Sequence, residues 1–229
     1  MVRLNLLVEG QTEETFVKRT LTEHLAAQEV FAYPLVVSTR REGVQVWRGG
    51  VRHYARIKRD LKIWMNANQG TDVCFTTMFD LYRLPRDFPG FNDASKIGDP
   101  IERIANLEKA FREDIGSHRF IPYIQLHEFE ALLLADPQKF DWEFIEHDQA
   151  IRKLRELVEG YNSPEEINDG QDTAPSKRII GEIPEYKGRK ASTGPLVASK
   201  IGLDVIRQKC PHFNDWLSRL ERLGKGQDG

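Results

Sequence analysis

The sequence predicts an α/β fold in which a mainly parallel sheet of about four strands is flanked by helices and followed by a helical C-terminal part. Over residues 1–136, short apolar runs typical of buried parallel strands alternate with segments of helical period. Residues 137–229 contain only segments of helical period, so we expect a helical extension that carries a basic loop and packs on the core. A chain of 229 residues suffices for one domain with a small appendage.

The first predicted strand, Arg3–Val8, ends directly at Glu9, and a helix follows. Apolar residues at every fourth position indicate this helix, namely Val17, Leu21 and Leu25. Ligands bind open α/β sheets at the carboxyl ends of the strands, so Glu9 is a candidate site residue. Glu13 would place a second carboxylate near the same cation. Glu13 and Glu14 have another interpretation, because the helix dipole favours acidic residues in any first turn.

A second strand is predicted over Pro34–Thr39, then a loop over residues 40–50, and then a helix from Val51. The apolar side of this helix is formed by Tyr54, Ile57, Leu61, Trp64 and Met65. The basic residues on or just before its other side are Arg48, Arg52, Arg56, Arg59 and Lys62. Such a stripe is able to follow a phosphate backbone. The alternative interpretation is a solvated helix face.

The third predicted strand, Asp72–Asp80, also ends on a carboxylate. After a proline-rich segment, Asp99 is expected to cap a helix that has Pro100 at its first position. The fourth predicted strand covers Arg119–Gln125. Another helix is predicted over Asp148–Gly160, and a last one carries Phe213, Trp216, Leu217 and Leu220.

Acidic residues occur again after the fourth strand, at Glu128 and Glu130, where we expect the chain to turn into a helix. Side chains two residues apart share one face of a strand but point roughly 200° apart on a helix. Both glutamates therefore reach one metal ion only if the strand continues through Glu130. We favour Glu128 as the site residue, with Glu130 second. The adjacent His127 is either a general base or a buried structural histidine.

Carboxylates at three strand ends are the oxygen ligands that Mg²⁺ or Mn²⁺ prefers, and such ions promote cleavage of phosphodiesters. In the extension, the basic loop Lys187–Lys190 precedes a helix that we expect Pro195 to open. A helix start beside basic side chains is a natural phosphate site. The other interpretation of the loop is a solvated turn.

The composition restricts the class of protein. Charged residues make up 30% of the chain and the net charge is −2, so no global basic field indicates nucleic acid, although a local basic groove is compatible with this average. Cys74 and Cys210 fit no metal-ligand spacing, which favours a reduced cytoplasm. We recognise neither a signal peptide nor an apolar run long enough to span a bilayer, and therefore expect a cytoplasmic protein without a membrane partner.

Several stretches carry a resemblance to a known family: Glu9-Gly-Gln-Thr-Glu13, Asp80-Leu-Tyr-Arg-Leu-Pro85, His127-Glu-Phe-Glu-Ala-Leu-Leu133 and Cys210-Pro-His-Phe213. The first three resemble the TOPRIM fold, so residues 1–136 would form a TOPRIM-like core. More narrowly, the sequence is similar to a bacterial family of TOPRIM-like proteins related to the OLD-family nucleases. Members of that family are often encoded beside an ABC-type ATPase.

The resemblance implies roles for particular residues. In TOPRIM enzymes the glutamate after the first strand is catalytic and a DxD motif binds Mg²⁺, which corresponds to Glu9 and Asp80 here. The second aspartate of the motif is replaced by Tyr82, so Glu128 or Glu130 would have to supply the missing carboxylate. OLD-like nucleases also use a later basic residue, which we place among Lys187, Arg189 and Lys190.

We therefore expect a nuclease that depends on Mg²⁺ or Mn²⁺ and acts on DNA or RNA, with an anti-phage role and an ATPase partner implied by the resemblance. The alternatives are a non-catalytic TOPRIM-like subunit that binds an ATPase or nucleic acid, and a phosphatase or phosphotransferase. The candidate catalytic residues are Glu9, Glu13, Lys187 and Lys190. The candidate metal ligands are Glu9, Asp80, Glu128 and Glu130. The candidate nucleic-acid contacts are Arg48, Arg52, Arg56, Arg59 and Arg189.

Overall fold

The computed structural model describes residues 1–37, 53–167 and 173–225. It confirms the predicted fold class, because a parallel sheet is flanked by helices and followed by a helical C-terminal part. The strands of the described residues are β1 (Val2–Val8), β2 (Val30–Val36), β3 (Val73–Asp80), β4 (Phe120–Ile121) and β5 (Ile124–Gln125). The predicted loop over residues 40–50, which contains Arg48, lies outside the described residues, and so does Arg52.

The helices that surround the sheet are α1 (Gln11–Phe16), α2 (Thr22–Ala26), α3 (Tyr54–Ala67), α4 (Phe91–Ala94), α5 (Pro100–Ile115) and α6 (Glu130–Leu133). Those of the C-terminal part are α7 (Asp148–Glu159), α8 (Pro175–Glu182), α9 (Lys190–Ile201), α10 (Leu203–Lys209) and α11 (Pro211–Arg222). A π-helical segment, Val17–Leu21, joins α1 to α2. None of the helices in the described ranges has the length and apolarity needed to cross a membrane.

The order of the strands places the ends of β1 and β3 side by side. The sheet has the order β2-β1-β3-β4, and β5 pairs with β3 beyond β4. β1 pairs in parallel with β3, with Val8 opposite Met78. Glu9, which follows β1, and Asp80, which ends β3, therefore lie at the same edge of the sheet, where parallel strands direct their carboxyl ends.

Two hydrophobic cores lie on the two faces of the sheet. Leu4, Leu6 and Val8 of β1 join the core that contains α1, α2 and the C-terminal helices. Leu7 points the other way, as the alternation of side chains along a strand requires, and joins the core formed with α3 and α5. One core is thus shared by the residues before and after position 136, and the boundary proposed there between core and extension stays a prediction.

Three details differ from the predicted elements. β2 begins at Val30 rather than Pro34, because the β-favouring residues before the proline already pair with β1. Only its predicted end, at residues 38 and 39, lies outside the described residues. The fourth strand is divided into β4 and β5, since Pro122 between them has no N–H to donate to the ladder.

The third difference concerns the basic segment. Pro195 does not open a helix but lies inside α9, which begins at Lys190. The missing N–H of Pro195 removes one helical hydrogen bond, and this loss is offset by the close packing of the turn before it. A β-carbon at Gly194 would lie 3.0 Å from the Tyr186 hydroxyl and 3.3 Å from Phe129. The predicted loop is therefore a 3₁₀-helical turn, Pro184–Gly188, followed directly by the first turn of α9.

Candidate active site

Hydrogen bonds to the backbone hold three carboxylates at the shared edge of β1 and β3. The amide of Asp80 donates to Oε1 of Glu9 at 3.0 Å. The Phe129 amide in turn donates to Oδ1 of Asp80 at 2.9 Å. At the start of α1, the Gly10 amide donates to Oε2 of Glu13 at 3.0 Å, which fixes this acid in the first turn of the helix.

We refer to Glu9, Glu13, Asp80 and Glu130 as the acidic cluster. All four residues are largely buried, with Glu130 at the first position of α6. Burial, together with the charge of Glu13, raises the pKa of Glu9 to about 8. Burial also raises the pKa of Asp80, as do the charges of the other three carboxylates. The four groups therefore interact as one electrostatic unit that resists full ionisation.

Two cationic side chains face the acidic cluster. The guanidinium Nε of Arg83 lies 3.8 Å from Oε2 of Glu9 and 3.8 Å from Oδ2 of Asp80. The ammonium group of Lys190 lies 3.2 Å from Oε1 of Glu130. The buried hydroxyl of Tyr186 donates a further hydrogen bond of 3.3 Å to the same oxygen. The acidic residues of the cluster thus outnumber the cations that contact it.

Glu128 lies beside the cluster but is engaged elsewhere. Its Oε1 accepts a hydrogen bond from the backbone amide of Ser176 in the first turn of α8. Its charge raises the pKa of Glu130, so the two carboxylates are neighbours. Because the chain becomes helical at Glu130, these side chains do not share a strand face. Of the two glutamates, Glu130 rather than Glu128 is the one whose charge acts on Asp80.

The basic segment before α9 divides into residues with different surroundings. Lys190 reaches the acidic cluster, as described above. Arg189 instead pairs with Glu143 at 3.2 Å and lies over the ring of Phe144 at 5.2 Å. Lys187 is exposed. Only the last residue of the predicted basic loop therefore contacts a candidate metal ligand among the described residues.

The predicted basic stripe on α3 is separate from the cluster. The apolar side of α3 packs in the core with Leu7, on the face of the sheet opposite α1 and α9. Arg59 lies 3.4 Å from Asp60 of the same helix and is half exposed. Arg56 is partly buried on the same helix. Arg56 and Arg59, the described arginines of the stripe, therefore lie on a helix that packs on the other face of the sheet from the acidic cluster.

The donor atoms of the cluster are of the type that a hard cation prefers, but their positions do not form a complete set of ligands. All donors are carboxylate oxygens, which Mg²⁺ and Mn²⁺ prefer. Oε2 of Glu9 is buried and accepts no hydrogen bond from the described residues. Across residues 1–37, 53–167 and 173–225, however, no three His, Cys, Asp or Glu side chains converge as metal ligands. Glu9 and Asp80 are the pair that could hold an ion, with Arg83 beside both.

Arg83 and Tyr186 contact the acidic cluster but were not among the candidate residues predicted from the sequence. Arg83 comes three residues after Asp80, in a 3₁₀-helical turn, and this short spacing is a signal that was present in the motif. Tyr186 gave no such signal, because it reaches Glu130 only through the packing of the C-terminal part against α6.

Tyr82 and His127 form a pair at the edge of the site. The Tyr82 amide donates to the carbonyl of His127 at 3.1 Å, and the two rings lie 5.6 Å apart. His127 is buried and has a φ of 64°, which is uncommon for a residue with a side chain. Neither ring nitrogen has a hydrogen-bond partner of standard geometry among the described residues. Burial lowers the pKa of His127 to about 4, against an opposing effect of the Glu165 backbone.

An open groove of about 400 Å³ lies between the helices that carry Glu13 and Lys190. It is lined by Gln11, Glu14, Thr15, Gly188, Ala191 and Ser192. These residues are small or polar and none is aromatic, so the groove offers hydroxyl and amide groups and one carboxylate to a ligand.

Comparisons with known proteins place the chain in a family. No curated protein matched the sequence. Among solved structures, the C-terminal region of the OLD protein of Xanthomonas campestris pv. campestris aligns with a TM-score of 0.38 and 13% sequence identity. The alignment covers 97% of this chain and 98% of that one. The family described as Domain of unknown function (DUF4276) matches residues 8–221, and the chain belongs to this family.

Proposed function

We propose that this protein is a nuclease that cleaves phosphodiester bonds with Mg²⁺ or Mn²⁺ bound at the acidic cluster. The observation that carries the proposal is the burial of four carboxylates at one edge of the sheet. Ionised carboxylates are costly to bury without positive charge, and Arg83 and Lys190 balance only part of this charge. A divalent cation would balance the remainder.

Glu9 and Asp80 would hold the ion, because their side chains meet at Arg83 and Oε2 of Glu9 has no hydrogen-bond partner in the described part of the chain. When bound, a divalent cation stabilises charge on the phosphoryl group and lowers the pKa of a bound water. Glu130 would take the role of the acid that Tyr82 replaces in the motif that resembles the TOPRIM enzymes.

The other residues of the site have roles that follow from charge and position. Arg83 and Lys190 are placed to bind the phosphate and to offset the negative charge that develops during cleavage. Burial raises the pKa of Glu13, which makes this carboxylate a stronger base than an exposed glutamate and a candidate to accept a proton from water. Arg189, next to Lys190, would contact a more distant phosphate of the nucleic acid, whereas Arg56 and Arg59 lie on α3 at the other face of the sheet.

The resemblance of the motifs supports a wider proposal. We expect the nuclease to act in the cytoplasm as an effector of anti-phage defence, together with an ABC-type ATPase. Co-purification of the protein with the product of a neighbouring ATPase gene would test the partnership. Failure to form a complex at micromolar concentrations of both proteins would contradict it.

The test of the nuclease is cleavage of plasmid, single-stranded DNA and tRNA with Mg²⁺, with Mn²⁺ and with a chelator. Wild-type protein should cleave at least one substrate only when metal is present. Glu9→Gln preserves shape and removes a charge, and should reduce cleavage by about 100-fold or more. Glu23→Gln is the matched control, because Glu23 is exposed on α2 and lies outside the acidic cluster and the groove. Unchanged cleavage by Glu9→Gln would exclude this site.

A second candidate function is that of a non-catalytic subunit that binds nucleic acid or the ATPase. It is favoured by the observation that no third metal ligand converges with Glu9 and Asp80 in the described residues. This alternative predicts binding of nucleic acid that is insensitive to chelator, with no metal-dependent cleavage of any substrate. Calorimetric titration with Mn²⁺ separates the two functions. The nuclease should bind Mn²⁺, and Glu9→Gln should lose this binding, whereas the non-catalytic subunit needs no ion.

A further inference from the structure

The groove between α1 and α9 adjoins the acidic cluster. Its volume of about 400 Å³ lies within the usual range of ligand clefts, about 300–1,000 Å³. The same two helices carry residues of the cluster or in contact with it. Glu13 of α1 is buried, and Lys190, the first residue of α9, pairs with Glu130 at 3.2 Å. The groove is therefore a surface that a polymer bound at the cluster is able to reach.

The lining of the groove disfavours two of the three parts of a nucleotide. Phosphates are bound mainly by Lys and Arg, and unstacked bases by aromatic rings or guanidinium planes. Neither Lys, Arg nor an aromatic residue is among the described residues that line the groove. Its one acidic residue, Glu14, is paired with Lys18. The part of a nucleotide that remains is the sugar.

The polar groups of the groove match those of a sugar. The hydroxyl of Ser192 donates to the carbonyl of Arg189 at 3.0 Å, so its oxygen is left to accept a hydrogen bond. The side chains of Gln11 and Thr15 are each able to donate and to accept. A ribose 2′-hydroxyl is likewise both donor and acceptor. Each of these three side chains is therefore able to pair with a ribose hydroxyl.

We propose that the groove binds ribose hydroxyl groups of an RNA strand, and that the substrate of the adjoining acidic cluster is RNA. The inference rests on the proposed nuclease function and names its substrate class. The 2′-hydroxyl is the group by which a protein distinguishes RNA from DNA. A site that bonds to a hydroxyl binds the analogue without it less tightly, because its own polar groups are left unpaired.

The test measures binding by fluorescence anisotropy of a labelled 15-nucleotide RNA without self-complementarity. The same sequence is prepared as DNA and as 2′-fluoro RNA, which keeps the sugar pucker of RNA but lacks the hydroxyl donor. Ca²⁺ replaces Mg²⁺, and gel electrophoresis verifies that each probe stays intact. Wild-type protein should bind RNA about 5-fold or more tightly than either of the other probes, the effect of one or more hydrogen bonds.

Two variants each remove one hydroxyl from the groove. Ser192→Ala and Thr15→Val should weaken binding of RNA by about 2- to 10-fold each. Binding of DNA and of 2′-fluoro RNA should stay within about twofold of wild type, because these probes lack the group that the variants test. The double variant should bind all three probes with nearly equal affinity.

Ser95→Ala is the matched control. The Ser95 hydroxyl also donates to the carbonyl three residues earlier, that of Asn92, at 2.8 Å, and Ser95 follows α4 outside the groove. This variant should bind all three probes as wild type does. Thermal melting of each variant verifies folding.

Three results overturn the inference. The first is equal binding of RNA and 2′-fluoro RNA by wild type, since the hydroxyl then contributes nothing. The second is an equal loss of affinity for RNA and DNA in Ser192→Ala and Thr15→Val. The third is the absence of measurable RNA binding by wild-type protein.

The binding assay separates this inference from the nuclease proposal. If no substrate is cleaved but Ser192→Ala loses the preference for RNA, the nuclease proposal fails and the ribose site stands. If metal-dependent cleavage is lost in Glu9→Gln while wild type binds RNA and 2′-fluoro RNA equally, the nuclease stands and the ribose site fails.

Discussion

The amide of Asp80 donates a hydrogen bond of 3.0 Å to Oε1 of Glu9, so the acid after β1 is oriented by the residue that ends β3. The other carboxylate oxygen of Glu9 has no such bond among the described residues and lies 3.8 Å from Arg83. One oxygen of Glu9 therefore has a structural role, and the second is the one that would contact the proposed metal ion. A glutamine at position 9 keeps an oxygen that accepts the first bond, which is why it is a suitable probe of the second.

The acidic cluster should make the metal-free protein less stable as the pH rises. Burial raises the pKa of Glu9 from 4.5 to about 8, so between these values the folded state binds more protons than the unfolded state. Stability present near pH 4.5 is therefore lost progressively as the pH approaches about 8. We expect a loss of about 1–3 kcal/mol, measured by urea unfolding in the presence of chelator.

Glu9→Gln should flatten this dependence, because glutamine does not titrate, whereas Glu23→Gln, at an exposed position on α2, should retain it. Adding Mg²⁺ or Mn²⁺ at about pH 8 should restore stability to the wild-type protein by binding the ionised carboxylates. A pH dependence equal in wild type and Glu9→Gln would show that Glu9 ionises normally.

Replacing Arg83 tests whether this side chain belongs to the chemistry. Arg83→Gln removes the guanidinium that contacts Glu9 and Asp80 and should lower kcat by about 10- to 100-fold by removing stabilisation of developing negative charge. Arg86→Gln is the control, because Arg86 is an exposed arginine only three positions further along. Steady-state kinetics with the substrate that the cleavage assay identifies compares the two variants. Equal rates for the two variants would remove Arg83 from the site.

Two lysines of the basic segment should differ sharply. Lys190→Gln removes the charge 3.2 Å from Glu130 and should reduce cleavage by about 10-fold or more, since a phosphate neighbour is lost. Lys187→Gln changes an exposed residue and should leave the cleavage rate within about twofold of wild type, because exposed charges contribute little. Similar losses in both variants would indicate a general effect of positive charge on substrate binding rather than a specific contact.

A stability prediction concerns the backbone at Glu29. This exposed residue follows α2 with a φ of 60°, a conformation that glycine adopts without steric cost. Its ion pair with the N-terminal amine spans 3.9 Å between exposed groups and contributes little. Glu29→Gly should therefore stabilise the protein by about 0.5–1 kcal/mol in urea unfolding. Gln28→Gly, at a position without a positive φ, should destabilise it, and a loss of stability in both variants would contradict the prediction.

The sequence was sufficient to bring Glu9 and Asp80 together. Both follow apolar runs that form neighbouring parallel strands, and parallel strands present their carboxyl ends at one edge. The helix capped by Asp99 was equally accessible, because the side chain of Asp99 accepts from the amides of Ile101 and Glu102 just after Pro100. In these cases, the local pattern and the final geometry depend on the same few residues.

The remaining site residues depended on packing between distant segments. Whether Glu128 or Glu130 joins the cluster was decided by the point at which the chain becomes helical and by the amide of Ser176, 48 positions away, which binds Glu128. The start of α9 was predicted late because proline usually marks a first turn. It actually starts at Lys190, one turn before Gly194, which packs closely against the distant Phe129 and against Tyr186.

The pairing of Glu130 with Lys190 and Tyr186 also has a consequence for synthesis of the protein. The acids at the ends of the strands leave the ribosome first, and domains fold progressively from the N-terminus during translation. The lysine and tyrosine that satisfy Glu130 emerge only with α9 and the turn before it. A nascent chain that ends before α9 therefore carries Glu130 without Lys190 and Tyr186, and the site is assembled only after the segment that contains α9 has been synthesised.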